Sequence, residues 1–385
     1  MLTNCILVEY MGTFRDLDLM TKGEISVFLG FCLSFLFSLL LLPRIFLISK
    51  KKRLFDNIDS RKSHIGDIPR LGGLIFVPAI LCTLSVSLAF RYSIEFYVNL
   101  SLSENVLQEF LFLLSGICFL YLVGAKDDLV GVRYRKKFLA QFLVASLIPL
   151  SGLYINNLYG IFNIENIPPY IGMPLTVIMI VYVTNSINLI DGIDGLAAGG
   201  CSIAFFVFGI LFMSRELFLY SMLSFTALGC LLPFAYYNVF GITKPDRRIF
   251  MGDAGSLSLG FLLSFLSIKS IMYVPSYYFS YDVKSILIPI SLLFVPCFDV
   301  LRVMIVRAIH HKSMFLADRN HIHHKCLGTG MNHLQSTISL LLYTILIVLV
   351  NIFTINIMNV NYLIILDILS LMLLISILDR LKKYH

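Results

Sequence analysis

The chain is short of charge and of polar connecting sequence. Across 385 residues, Asp, Glu, Lys and Arg make up only 14%, whereas hydrophobic residues make up 58%. A soluble chain of this length would carry roughly 25% charged residues, so two or three ordinary soluble domains are excluded. No long linker, low-complexity tract or repeat of 20–50 residues interrupts the apolar sequence. The eight cysteines are scattered singly without a C-x-x-C pair, which argues against a disulfide framework or a cysteine metal site. No H-E-x-x-H helix and no Gly-Lys-Ser/Thr phosphate loop occurs.

What is present is a series of apolar runs. They fall near 25–48, 71–90, 108–125, 138–156, 170–190, 196–213, 217–237, 254–273, 285–306, 336–357 and 361–379. Each is close to the ~20 residues that cross a bilayer as a helix, and in lipid each must satisfy its own backbone. The expected fold is therefore all-α, one polytopic membrane domain over residues 1–385 with about eleven spans. Residues 1–24 are expected to form a short external segment. Glu9, Asp16, Asp18 and Glu24 stand there in place of a signal peptide's basic region, so the first span is expected to be retained.

Most of the 30 Lys and Arg residues lie in alternate loops: 49–70, 126–137, 238–251, 307–335 and the C-terminus. The intervening loops are almost bare. The net charge of +7 thus points to a membrane surface and not to nucleic acid. By the positive-inside rule the N-terminus is expected outside and the C-terminus in the cytoplasm.

Ionisable groups cost about 2.5–3.5 kcal/mol at a span centre, so their placement carries information. They collect at the ends expected to face the cytoplasm, and the outer half reads as bare. Asp127 and Asp128 end the third span, beside Lys126 and the Arg133–Lys137 cluster. Such a carboxylate pair suits a divalent ion or a proton. The run NSINLIDGIDG at 185–195 holds Asn188 and Asp191 three residues apart, on one helix face. Gly192 and Gly195 let the backbone leave the helix and approach a ligand. In FMGDAGS, 250–256, Asp253 lies between glycines at a helix start, where exposed amides favour anions. The cytoplasmic loop 307–335 carries ADRNHIHHK, with Arg319, His321, His323 and His324 together. Zinc would need three or four converging ligands; basic and imidazole donors in this pattern suit a pyrophosphate better. SRKSHIGDIPRLGG, 60–73, joins a basic loop to a helix-entry turn containing Arg70.

Taken in order, these motifs resemble the polyprenyl-phosphate N-acetylhexosamine-1-phosphate transferase family, over about Asp59 to Lys325. They are H-x-x-x-x-P-R-L-G-G, the Asp-Asp helix end, N-x-x-N-x-x-D-G-x-D-G-L-A, F-x-G-D-x-G-S and the H-I-H-H loop. The likeness is greater to the branch that starts O-antigen, enterobacterial common antigen, teichoic acid and capsule chains than to the peptidoglycan branch. Gly131 and Ala317 depart from it, standing where many members have a third acid and a proline.

The resemblance implies a bacterial inner-membrane enzyme working on the cytoplasmic face. It would transfer a sugar 1-phosphate, by default N-acetylglucosamine 1-phosphate, from a UDP-amino sugar to undecaprenyl phosphate, giving UMP. Magnesium, or manganese in its place, is implied as cofactor, with Asp253 and Asp128 as metal ligands and Asp127 as the third catalytic acid. Asn188 and Asp191 would contact the nucleotide, Phe250 would stack on uracil and Asp194 would support the loop. Arg319, His321, His323 and His324 would hold the diphosphate, with Arg70 on the sugar-phosphate side. A homodimer is compatible with this reading. The rival reading is a secondary transporter, which should place its ionisable residues near the bilayer midplane.

Overall fold

The computed structural model describes residues 19–52, 69–94, 104–242, 248–272, 283–311 and 320–382. Among these the chain is helical apart from short turns and one isolated bridge between Asn157 and Asn166. The helices are α1 (Leu19–Lys51), α2 (Phe76–Ile94, entered through a 3₁₀ turn at Gly72–Ile75), α3 (Glu104–Val130), α4 (Tyr134–Leu150), α5 (Pro169–Ile190) and α6 (Leu196–Ser214). They continue with α7 (Phe218–Phe240), α8 (Gly252–Ile271), α9 (Lys284–Ile309), the short α10 (Ile322–Leu327), α11 (His333–Thr354) and α12 (Val360–Leu381). Ten are long and apolar enough to cross a membrane, by length and composition: all but α4 and α10.

The fourth of the eleven expected spans, 138–156, is where sequence and structure differ most. Helix α4 begins earlier, at Tyr134, and stops after 17 residues at Leu150. Ser151 and Gly152 then turn the chain into an irregular segment. That segment packs against other helix ends: Tyr159 Oη donates to the Ile271 carbonyl at 2.8 Å, and Asn361 Nδ2 to that of Gly160 at 3.0 Å.

Helix α8 is the centre of the molecule. All its residues from Ala254 to Ile271 are buried, so it has no lipid-facing side. It is nevertheless rich in serine. Ser258, Ser264 and Ser267 each donate at 2.7 Å to the carbonyl one turn back. Such hydroxyls are satisfied within their own helix and do not need partners across the bundle. Two glycines let neighbours approach α8 closely. A Cβ on Gly73 would lie 2.4 Å from the Gly255 backbone, and one on Gly124 2.6 Å from the Ala254 backbone. Small residues at helix contacts allow this backbone-to-backbone packing in membranes.

The end of the bundle expected to be bare is not. Glu109 at the start of α3 receives Lys269 Nζ from the end of α8 at 2.9 Å on both carboxylate oxygens, and Tyr220 Oη of α7 donates to it at 2.6 Å. All three side chains are buried. Asp367 of α12 is likewise buried and accepts from Asn351 Nδ2 of α11 at 2.8 Å. Neither group was read from the sequence: the partners of Glu109 lie far away in the chain, and Asp367 is held by the neutral Asn351 amide of the preceding helix.

Removing one partner of a buried ion pair leaves the other charge uncompensated, at a cost of about 3–5 kcal/mol. Glu109→Ala should therefore lower thermal stability in detergent strongly, whereas the double replacement E109Q/K269M should recover most of the loss. Equal destabilisation by the single and double variants would show that the pair does not hold α3 to α8.

Candidate functional site

The site forms where the ends of α3 and α5 meet the start of α8, and backbone bonds set its frame. The Phe250 amide donates to the Pro69 carbonyl at 2.9 Å, Gly72 to Phe250 at 3.0 Å, and Gly73 to Met251 at 2.8 Å. This pins the turn that carries Arg70 against the start of α8. Asp128 fixes that start from the other side, its two oxygens accepting the Asp253 and Ala254 amides at 2.7 and 2.9 Å. A carboxylate over the first amides of a helix completes donors that the helix itself leaves open. Asp128 thus directs its carboxylate at α8.

Asp127, the neighbouring residue, faces elsewhere. Its Oδ1 accepts the Val132 amide at 2.6 Å, and its Oδ2 receives Lys137 Nζ from α4 at 3.2 Å. The same ammonium contacts Asp253 Oδ2 and lies 3.5 Å from Asn188 Oδ1. Asn188 Nδ2 donates at 2.7 Å both to Asp253 Oδ1 and to Ser256 Oγ. Oxygen atoms from three helices thus surround one cation. Hard oxygen donors of this kind suit magnesium or manganese, and Asp253 presents its carboxylate to this centre. Asn185, in the same asparagine-rich run, turns away and pairs with Gln141 at 3.3 Å.

Asp191 caps the end of α5 and lies in the field of Asp253, Asp128 and Asp194. Burial first, then these like charges, push its carboxyl well above the usual range, and Arg70 pulls it back down. Asp194 is structural: its Oδ2 pairs with Arg248 Nη1 at 2.6 Å and faces His333 Nδ1 at 3.4 Å. Next to it, the Gly195 amide donates to Asn238 Oδ1 at 2.6 Å, and Asn238 Nδ2 to the Ile249 carbonyl at 2.9 Å. The 191–195 turn is thereby fastened to the strip that presents half-buried Phe250.

The histidine loop is organised by two residues that sequence reading missed. Asp299 Oδ2 pairs with His321 Nδ1 at 2.9 Å, and both its oxygens accept the Ile322 amide, at 3.1 and 3.2 Å. Arg302 donates to Asp299 Oδ1 at 2.7 Å and to the Asn320 carbonyl at 2.5 Å. A carboxylate can only accept, so it holds the Nδ1 proton on His321 and leaves Nε2 for a ligand. The signal was available: Asp299 is an acid inside an apolar run, as costly there as the acids that were singled out. Lys137 was missed for another reason, having been read as one more interfacial charge.

The His321 and His323 rings stack at 5.7 Å, and His323 lies 4.2 Å from His324, centroid to centroid. His323 also fills the space over Gly192, where a Cβ would meet its Nε2 at 2.4 Å. That contact, more than backbone freedom, explains the glycine. The imidazoles therefore continue to the residue beside Asp191, and the expected residues that are described form one neighbourhood. Arg319 lies outside the described residues.

His323 is buried, and its Nδ1 finds no hydrogen-bond partner among the described residues. Burial, followed by the charges of His324 and His321, brings its pKa down to about 3. It is thus a neutral donor or acceptor at physiological pH and not a cation. An unfolded histidine takes up its proton near pH 6.5. The stability held in neutral His323 is therefore fully present above about pH 6.5 and declines as pH falls below it. Imidazole NMR should show no His323 titration between pH 8 and pH 5; a midpoint near 6.5 would contradict this environment.

Residues 110–271 match the model of glycosyl transferase family 4. A Bacillus subtilis (strain 168) protein named "Probable undecaprenyl-phosphate N-acetylglucosaminyl 1-phosphate transferase" is 31% identical over 322 residues, covering 83% of this chain and 82% of the relative. The undecaprenyl-phosphate alpha-N-acetylglucosaminyl 1-phosphate transferase of Escherichia coli (strain K12) is 27% identical, covering 78% and 77%. A phospho-N-acetylmuramoyl-pentapeptide-transferase of Prochlorococcus marinus (strain MIT 9301) is 30% identical, covering 57% and 62%. With the carboxylates, asparagine and imidazoles gathered at one end of an all-helical membrane bundle, this likeness over most of both chains establishes that the protein belongs to glycosyl transferase family 4.

Proposed function

We propose that the protein transfers N-acetylglucosamine 1-phosphate from its UDP donor to undecaprenyl phosphate and so begins a cell-envelope glycan, on the cytoplasmic face of the bacterial inner membrane. The observation that carries this reading is the convergence of Asp127, Asn188 and Asp253 on one cation, Lys137, at the ends of membrane spans. Phosphates of a lipid and of a soluble nucleotide can meet at that level. The names of the relatives supply the substrate class.

Two anionic phosphates repel, so the site must hold them in line and neutralise charge as the new bond forms. An oxygen of the lipid phosphate attacks the sugar-bearing phosphorus. The bond from that phosphorus to the bridging oxygen breaks, and its electron pair leaves with UMP. A phosphate monoester has its second pKa near 6, so the nucleophile is already largely ionised at neutral pH. Asp127, held by Lys137 and the Val132 amide, positions the acceptor or removes its residual proton. Magnesium or manganese, when bound, supplies charge neutralisation of the diphosphate, and Asp253 with Asn188 would hold it. Asp128 supports Asp253 through the α8 amides. Asn188 and Asp191 face the nucleotide side and Phe250 the base. Arg70, joined by Arg319, takes the remaining phosphate charge, and the imidazoles of His321, His323 and His324 hold the diphosphate by hydrogen bonds.

A cavity of about 280 Å³ between α5, α8, α9 and α12 suits part of the prenyl chain. Val183, Phe294, Phe298, Leu301 and Ile368 are among its lining residues. The transporter alternative finds less support, because the ionisable pair at the opposite end, Glu109 and Lys269, is closed on itself.

The test is to incubate purified protein with magnesium, undecaprenyl phosphate and a panel of UDP-sugars and measure UMP. Release is expected with UDP-N-acetylglucosamine; release only with another UDP-N-acetyl amino sugar would change the donor, and none with any would remove the enzyme reading. Asp253→Ala should lower kcat by about a hundredfold or more. Asp127→Asn should lose less activity as assay pH rises, since less proton removal is then needed. A labelled sugar-phosphate adduct on the protein would contradict direct attack by the lipid phosphate.

A further inference from the structure

One strongly charged surface is used neither by the reaction nor by the packing. Between α3 and α4 the chain makes a tight turn through Gly131, whose φ is +75°. Lys126 in the last turns of α3, Arg133 at the exit of the turn, and Arg135 and Lys136 in the first turn of α4 are exposed around it. Among the described residues none of these four pairs with a carboxylate; Arg135 instead lies over the Tyr134 ring, 5.8 Å from its centroid. Between the cations stand exposed apolar side chains, Val130 at 75% and Tyr134 at 54%.

The position of this lip is specific. Its first part closes the membrane span that ends at Val130. Its Val132 amide is held by the Asp127 carboxylate at 2.6 Å. Arg133 is the N-cap of α4, and its carbonyl accepts the Lys137 amide at 3.2 Å, so it stands one helical turn before Lys137. A phosphate resting on the lip is therefore at lipid headgroup level and one helical turn from the cation shared by Asp127 and Asp253. Exposed aromatic and aliphatic groups between guanidinium groups are what the interface between lipid tails and water accommodates.

We propose that the lip formed by Lys126, Arg133, Arg135 and Lys136 captures the phosphate of the acceptor lipid from the membrane surface and hands it to the Asp127–Lys137 centre. This rests on the proposed transfer reaction and adds a docking surface to it. The occupant is the phosphate monoester of a polyprenyl lipid. A monoester carries nearly two charges at neutral pH, against one on a phosphodiester headgroup, so a cluster of exposed cations with no carboxylate partner among the described residues favours it. Each basic residue near a membrane surface contributes several-fold to anionic lipid binding.

The experiment compares wild type, R133Q/R135Q/K136Q, and K50Q/K51Q, in neutral phosphatidylcholine nanodiscs with undecaprenyl phosphate titrated in. Lys50 and Lys51 are exposed at the end of α1 and control for general interfacial charge. The lip variant should raise the acceptor KM about tenfold or more, leaving kcat and the donor KM unchanged, and the control should do neither. Native mass spectrometry with farnesyl phosphate should show the same loss of binding in the lip variant alone. An unchanged acceptor KM, or an equal shift in K50Q/K51Q, would overturn the proposal. So would phosphatidylglycerol binding the lip as well as farnesyl phosphate does, which would make it a general anionic-lipid anchor. If wild type binds farnesyl phosphate through the lip yet releases no UMP with any donor, the docking surface stands and the transferase reading fails.

Discussion

The structure depends on one shared ammonium. Asp127, Asp253 and Asn188 come from three different helices, and two of the three are acids placed where water is scarce. Ionised carboxylates there repel one another and lose hydration, a burden that an opposite charge must offset. Lys137 provides it from a fourth helix, and in doing so fixes how α3, α4, α5 and α8 meet. A centre assembled in this way is ready for a divalent ion or for phosphate, since either can share or take over the role of counterion.

Helix α8 carries this constraint through the bundle. It is enclosed along its length, its serines bond to their own helix, and glycines on neighbouring segments bring backbones close to it. Its first turn bears Asp253 and is set by Asp128; its last turn bears Lys269, paired with Glu109. Polar anchors at both ends with an apolar body between them define its depth and rotation. The side chains of the site inherit their positions from that.

Much of this was legible in the sequence because membrane spans make polar residues conspicuous. Asp127, Asp128, Asn188, Asp191 and Asp253 stood out by that cost alone, and the structure brings them together. What stayed hidden were relations between distant residues. Lys137 looked like any other positive-inside charge, and its convergence on Asp253 needs the fold. Glu109 and Lys269 lie far apart in sequence, so neither announced a pair. Asp299 sat inside an apolar run without a motif, yet it orients His321. Helix α4 shows a different limit: hydropathy extended it to 156, but a Ser-Gly turn ends it at Leu150, a boundary set by local backbone and not by apolar content.

Structure determination with UDP-N-acetylglucosamine and a divalent cation bound would test the central claim most directly. The account predicts the diphosphate beside Asp253, Asn188 and Lys137, with the imidazoles on its flank. A nucleotide bound away from that centre, with Lys137 still closed on both aspartates, would contradict it.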